Sequence, residues 1–292
     1  MNGLVLIDKP AGCTSHDVVN RWRKLAKTKR VGHLGTLDPM ATGLLALVTG
    51  AATRLAQFYG KDDKTYYAEI TFGRTSDTYD AEGQVVETGA PLPLPDAVRA
   101  ALVGFTGRFM QTPPPVSAKK INGVAAYKLV RKQISVELPA VEIEVKRLEV
   151  TNLSVDKMEI VVTCSSGGYI RSIAHDLGQR LGCGALLSRL RRTQAGEFRI
   201  ENARTLDALI DLAAAGRLPE AVTPAAAMLT HVPAEHFDAR VETQIRQGRD
   251  FRTSPFVVPA GTPLVKALSY SGELIAIGQL KIPNLYHPGT VL

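Results

Sequence analysis

Cysteine is scarce in this chain. Cys13, Cys164 and Cys183 are the three among 292 residues, and no C-x-x-C pair occurs. That excludes a disulfide framework and argues against a structural zinc site; reduced, buried thiols are expected. Long apolar runs are missing too. The longest candidate, around Ala41–Thr53, is broken by glycines and falls short of the ~18 residues that span a bilayer. The N-terminus shows no basic-then-apolar signal pattern, so a cytoplasmic location away from membranes is expected. A Walker A loop, G-x-S-x-G and H-E-x-x-H are also absent. Gly182-Cys183-Gly184 follows a predicted helix, not a strand, and so reads as a helix C-cap rather than a dinucleotide loop. Any chemistry must then run on side chains alone, with no cofactor and no metal.

What is present is a core and a basic surface. A hydrophobic content of 45% suits a globular protein of one large domain plus a small one. Thirty-five basic residues against 28 acidic give a net charge of +7. Their distribution says more than the total. Residues 18–37 carry Arg21, Arg23, Lys24, Lys27, Lys29 and Arg30 without an acid. Residues 107–136 carry Arg108, Lys119, Lys120, Lys128, Arg131 and Lys132, again without one. Arg189, Arg191 and Arg192 form a third cluster. Each taken singly reads as a solvated face; together they point to a surface for phosphates.

Local patterns predict strands over Gly3–Ile7, Leu44–Val48, Thr65–Phe72, from Val141, and over Met158–Cys164. Helices are predicted from Ser15 to about Ala26, over Ala52–Tyr59, Asp96–Gly104, Ile170–Leu181 and Thr205–Ala215. The first is announced by a capping box, Thr14 with Asp17. Strands and helices interleave without a strict βαβ rhythm, which points to an α+β fold with a mixed sheet. Residues 107–136, with Pro113-Pro114-Pro115 and Asn122-Gly123, read as an insertion reaching outward. Beyond about residue 230 the chain turns to short strands and turns, a small all-β unit near the lower size limit for folding alone.

Two segments carry candidate chemistry. Asp38 is the one charged residue between Arg30 and Arg54, on a loop shaped by Gly35, Pro39 and Gly43. It reads either as an acid positioned between apolar segments or as a turn in which the carboxylate bonds its own backbone. Arg171 falls in the first turn of a helix, where the dipole already favours negative charge, so it wants a nearby anion. Asp77 or Asp80 would supply one. Three readings follow: an enzyme acting on RNA, a non-catalytic RNA-binding protein, or a small-molecule hydrolase with Asp38 as nucleophile. The acid-free basic segments and the lack of metal-ligand motifs fit the last poorly.

Six blocks then stand out in order: GHLGTLDPMATG, KTYY, RTSDTYDAEG, QTPPPVSAKK, SSGGYIR and LGCGALLSRLRR. In sequence and approximate spacing they resemble the bacterial tRNA pseudouridine synthase B family over roughly residues 3–200. The resemblance implies a mixed, mainly antiparallel central sheet flanked by helices in a catalytic domain over 1–229, carrying an RNA-binding insertion at about 107–136. It implies a PUA-like RNA-binding domain over 230–292. The implied reaction isomerises uridine to pseudouridine at position 55, in the T-loop of tRNA, by turning the base out of the stack, without a cofactor. Asp38 would be the essential aspartate, Tyr66 the tyrosine of the uracil pocket, and Arg171 the arginine paired with the aspartate. Leu190 would be an apolar wall and Asp80 the acid holding that arginine. His33 would help hold the opened T-loop, and Lys9 and Tyr169 would stand on the pocket side. Lys119, Lys120, Lys128, Arg131 and Lys132 would meet the RNA backbone. The implied partner is tRNA, through its T-arm and acceptor end. The LDPMATG form resembles stand-alone members rather than guide-RNA-dependent ones, so no obligate protein partner is expected. Two departures from the family pattern are Val116, where an aromatic residue is frequent, and Gly168, where threonine is common.

Overall fold

A computed structural model describes residues 1–117 and 138–292, together with the backbone of 120–121 and 124–125. Among the described residues the architecture is a large mixed sheet with helices on one face and a second, smaller sheet docked behind it. Along the main path of the large sheet the strands run Arg204–Thr205, Gly3–Lys9, Thr42–Thr49, Ala185–Ala195, Lys64–Phe72, Lys157–Cys164, Val141–Leu153 and Gly107–Gln111. Most pairings are antiparallel. Thr42–Thr49 and Ala185–Ala195 meet in parallel, Gly43 opposite Arg192. That crossing needs a glycine. Gly43 has φ +97°, and a Cβ there would stand 2.3 Å from the Arg192 carbonyl oxygen.

The elements form where local chemistry calls for them. The capping box is present: the Thr14 hydroxyl accepts from the Asp17 amide, and Asp17 accepts from the Thr14 amide at 2.9 Å. The helix that follows, Ser15–Leu25, buries Val18, Val19 and Trp22 against the sheet. Replacing fully buried Trp22 with alanine is expected to cost about 3–5 kcal/mol. The helix Ile170–Leu181 has the predicted bounds and ends on left-handed Gly182. Residues 50–59 are wound as a 3₁₀ helix, tighter than an α-helix. The helix expected over 96–104 begins at Pro95, whose missing N–H is no loss in a first turn, and yields to a 3₁₀ turn at Val103.

Two expectations are corrected. Residues 107–111 do not belong to an outward insertion: they form the edge strand beside Val141–Leu153, with Arg108 and Met110 exposed and Gln111 buried. The third basic cluster is not one surface. It lies on the strand Ala185–Ala195, where alternation sends Arg189 outward and Arg192 inward. Arg191 is half-buried and pairs bidentately with Asp8 at 2.9 and 2.7 Å.

The smaller sheet has the order Ala234–Phe237, Leu264–Ser269, Leu274–Ile282, Leu285–Val291, Phe251–Arg252, with the helix Ala239–Arg246 packed on it. Leu268, Leu274 and Ile277 share one apolar cluster with Leu4, Leu44 and Val48 of the large sheet. The joint is polar as well. Glu197 accepts from Tyr59 Oη at 2.7 Å and from the amides of Leu229 and Thr230 at 2.9 and 2.8 Å. Lys266 donates to the carbonyls of Ala226 and Met228 at 3.1 and 3.0 Å.

Candidate active site

Asp38 sits in the long loop of a hairpin. Val31–His33 pairs with Thr42–Thr49, and residues 34–41 bridge them. This loop is tied down along its length. The Leu37 amide donates to Ser15 Oγ at 2.8 Å, and Ser15 Oγ donates to the Leu37 carbonyl at 3.0 Å. Lys9, fully buried, donates to the carbonyls of Pro10, Cys13 and Pro39 at 2.9, 2.7 and 3.1 Å. From the other side Arg192 donates to the carbonyls of Leu44, Thr36 and Gly35 at 2.8, 3.3 and 3.0 Å. Buried carbonyls without partners cost about 1–3 kcal/mol each, so these two cations hold the loop in one shape.

The resulting carboxylate faces a guanidinium. Arg171 Nε lies 3.0 Å from Asp38 Oδ2, and its side chain is 5% exposed against 36% for Asp38. Arg171 Nη1 stands 3.3 Å from Asp80 Oδ2 and donates to the Thr78 carbonyl at 3.1 Å; Nη2 donates to the Val116 carbonyl at 3.0 Å. The fork of the guanidinium is thus held on three sides, as arginine's rigid planar donors permit. Asp80 is itself fixed, accepting from Thr78 Oγ1 at 2.6 Å and the Glu82 amide at 3.0 Å. Tyr79, between them, has φ 65°, an uncommon backbone state for an aromatic residue. Its ring stacks on His175, one turn beyond Arg171, with centroids 3.7 Å apart and planes 9° from parallel.

Asp38, Tyr66, Arg171, Tyr169, Leu190 and His33 line a single cavity of about 400 Å³. That falls within the ~300–1,000 Å³ of sites that enclose small ligands. Burial pushes the Asp38 carboxyl above its ordinary value; Arg171 opposes this and Asp80 adds to it. Burial likewise raises the Tyr66 phenol, against the pull of Arg192, and lowers the His33 imidazole, keeping it neutral near pH 7. The arrangement offers an anion, a fixed cation, a phenol and an apolar wall around one hollow. No cluster of three or more His, Cys, Asp or Glu side chains suited to a metal occurs among the described residues.

The residues singled out in the sequence fall into three groups. Asp38, Tyr66, Arg171, Tyr169, Leu190 and His33 are brought together. Lys9 and Asp80 stand behind the cavity wall as supports, their polar atoms already engaged by the protein. Lys119, Lys128, Arg131 and Lys132, and the side chain of Lys120, lie outside the described residues. Sequence reasoning missed Gln111, which clamps Tyr169 by donating to its carbonyl at 2.9 Å and accepting from its amide at 2.8 Å. It also missed Lys64 and Arg192 as cavity residues. The available signal was period two: Lys64 shares a face with Tyr66, and Arg192 with Leu190. At Gly168 a Cβ would stand 3.0 Å from Cys164 Sγ, so threonine there needs the cysteine to shift.

Comparison with known proteins points to one family. Residues 23–170 match the TruB family pseudouridylate synthase N-terminal domain. Residues 171–230 match the tRNA pseudouridylate synthase B C-terminal domain. The chain is 48% identical over 293 residues to tRNA pseudouridine synthase B of Solibacter usitatus (strain Ellin6076), with 100% of both chains covered. It is 38% identical to the Aquifex aeolicus (strain VF5) protein of the same name, covering 96% of each. Among solved structures, a Cbf5-Nop10-Gar1 complex superposes with a TM-score of 0.72 at 27% identity, covering 97% of this chain and 79% of that one. An H/ACA RNP bound to a substrate RNA containing 2′-deoxyuridine has the same fold, with a TM-score of 0.72 at 23% identity, covering 99% and 84%.

Proposed function

Because the chain belongs to the TruB family of pseudouridylate synthases, isomerases of tRNA uridine, we propose that it converts uridine to pseudouridine in the T-loop of tRNA with Asp38 as the essential group. The reaction breaks the bond from uracil nitrogen 1 to ribose carbon 1′, turns the base, and joins carbon 5 to the same ribose carbon; the carbon 5 proton is lost to solvent and nitrogen 1 takes one up. Apart from these protons it exchanges no electrons or groups with another molecule. The observation that carries the reading is the Asp38–Arg171 pair at 3.0 Å on the wall of the cavity.

Each residue then has a physical task. Asp38 is ionised and attacks carbon 1′ or the ring, or takes the proton from ribose carbon 2′. Arg171 offsets the burial that disfavours the charged form. Tyr66 and Leu190 flank the uracil, Tyr169 sits beside it, and the closed hollow keeps the detached base in place while it turns. A uridine inside a folded T-arm is out of reach of an internal carboxylate, so it must be turned out at a cost of a few kcal/mol. Phosphate contacts from the basic segments 18–37 and 107–136 offset that cost, including those expected of Lys119, Lys120, Lys128, Arg131 and Lys132. His33 occupies space left in the opened loop, and the C-terminal unit over 230–292 grips the acceptor end.

The test is release of tritium from carbon 5 of labelled uridine in a T-arm stem-loop. Wild type is expected to release it and Asp38→Asn to release none above background. Equal release from both would remove Asp38 from its role.

A further inference from the structure

A second part of the cavity lining has a different charge balance. Lys64 and Arg192 both line it. Lys64 is 8% exposed, and its ammonium donates to the Asp62 carbonyl at 2.5 Å. An ammonium has three donors, and the described residues supply this one acceptor. Arg192 is 2% exposed, donates to three carbonyls and also bears on the Tyr66 phenol. Among the described residues neither cation has a carboxylate within the 4.0 Å of an ion pair. Asp62 accepts through its backbone carbonyl, its carboxylate acting on Lys64 only from beyond ion-pair range, and Asp63 is paired with Lys146 at 2.7 Å.

The two cations converge on one notch. Gly35 has φ +137°, and a Cβ built there would stand 3.4 Å from Arg192 Nη1 and 3.9 Å from Lys64 Cε. Burial and then the charge of Arg192 lower the Lys64 pKa and outweigh Asp62, Cys164 and Asp63, which pull the other way. Two buried like charges persist at a cost that an incoming anion would reverse.

We propose that the Gly35 notch, with Lys64 as donor and Arg192 as fixed charge, is an anion subsite that seats a phosphodiester of the RNA strand next to the uridine held at Asp38. It rests on the function proposed above. The strand is favoured over a free anion because the notch and Asp38 open into the same cavity, so base and phosphate arrive on one molecule. A phosphodiester also brings acceptor oxygens for the remaining Lys64 donors.

The test pairs the protein with T-arm stem-loops in which the phosphate 5′ or 3′ of the target uridine is a neutral methylphosphonate. Equilibrium binding to wild type is expected to weaken about tenfold at one of these positions, the worth of one charge-assisted hydrogen bond. Lys64→Gln is expected to bind the unmodified RNA about tenfold more weakly and to ignore the modification, with a salt slope shallower by ~0.7–0.9. Lys64→Arg keeps the charge and is expected to keep the sensitivity, which covers the case in which Lys64→Gln misfolds. Equal losses at the modified position in wild type and Lys64→Gln would overturn the proposal. So would competition by millimolar inorganic phosphate that matches the methylphosphonate effect, since the anion would then come from solution. Binding reads this inference and tritium release reads the role of Asp38, so failure of one is separable from failure of the other.

Discussion

Two parts of the cavity lining treat charge in opposite ways. In one, Arg171 meets Asp38 and Asp80 and donates to the carbonyls of Thr78 and Val116. In the other, Lys64 and Arg192 lean on carbonyls and have no acid in ion-pair range among the described residues. The paired part is arranged before any substrate arrives, which is what chemistry needs if no reorganisation is to be spent at the moment of reaction. The unpaired part is poised for a charge that the substrate brings. On the proposed reading the contrast separates groups that transform the ligand from groups that hold it.

The largest effect is expected in the paired part. Asp38→Asn should lower tritium release by about 10⁴-fold or more, the scale of loss when a group proposed as essential to the chemistry is removed. The same variant should melt at a higher temperature than wild type. Burial raises the Asp38 pKa, so above that value the ionised carboxylate costs the fold stability, and the amide does not. A lower melting temperature would mean that the Arg171 pairing outweighs burial.

Next is Arg171→Leu, which strands Asp80, with 4% of its side chain exposed, without its cation. Chemical denaturation should show a loss of about 3–5 kcal/mol. A loss under ~1 kcal/mol, no more than an exposed pair is worth, would deny that this part is locked. Acidification should act in the same place. Turnover at saturating RNA should fall as pH drops through an Asp38 pKa displaced above the usual carboxylate value of ~3.9, because only the ionised form acts. An acid limb below that value would show that Arg171, not burial, dominates.

The smallest expected effect sharpens how Arg171 is aimed. The Tyr79–His175 stack ties the loop that carries Asp80 to the helix that carries Arg171. His175→Ala should reduce the rate of the bound complex by less than about tenfold, the worth of one aromatic pair, while leaving RNA affinity alone. His175→Phe, which keeps a ring, should restore the rate. Equal rates for both variants and wild type would leave the stack a packing detail.

Much of the site could be read from local chemistry. The capping box, the Ile170–Leu181 helix and the alternation that places Tyr66 inward are each set by neighbours within a turn or a pleat. Other features escaped because they depend on partners far along the chain. Lys9 reads as a pocket cation until its ammonium is seen spent on carbonyls up to 30 positions away. Arg192 reads as one of three surface arginines until the strand turns it inward onto the loop of Gly35 and Thr36. Gln111 gives no local sign of clamping Tyr169 across 58 residues. The helix Ala239–Arg246 was hidden in a stretch whose texture otherwise speaks for strands and turns.

The order of residues by itself determined the capped helix after Thr14, the Ile170–Leu181 helix and the alternating strand that carries Tyr66, that Asp38 would stand alone on a Gly/Pro-shaped loop, and that Arg171 would need an anion. Only the tertiary structure decided which anion it met, which cations turned inward, and which of those were left without one. The reason is physical. Helix caps and strand alternation act over a few residues, whereas burial, ion pairing and the pKa shifts they cause exist only once distant segments share a low-dielectric interior.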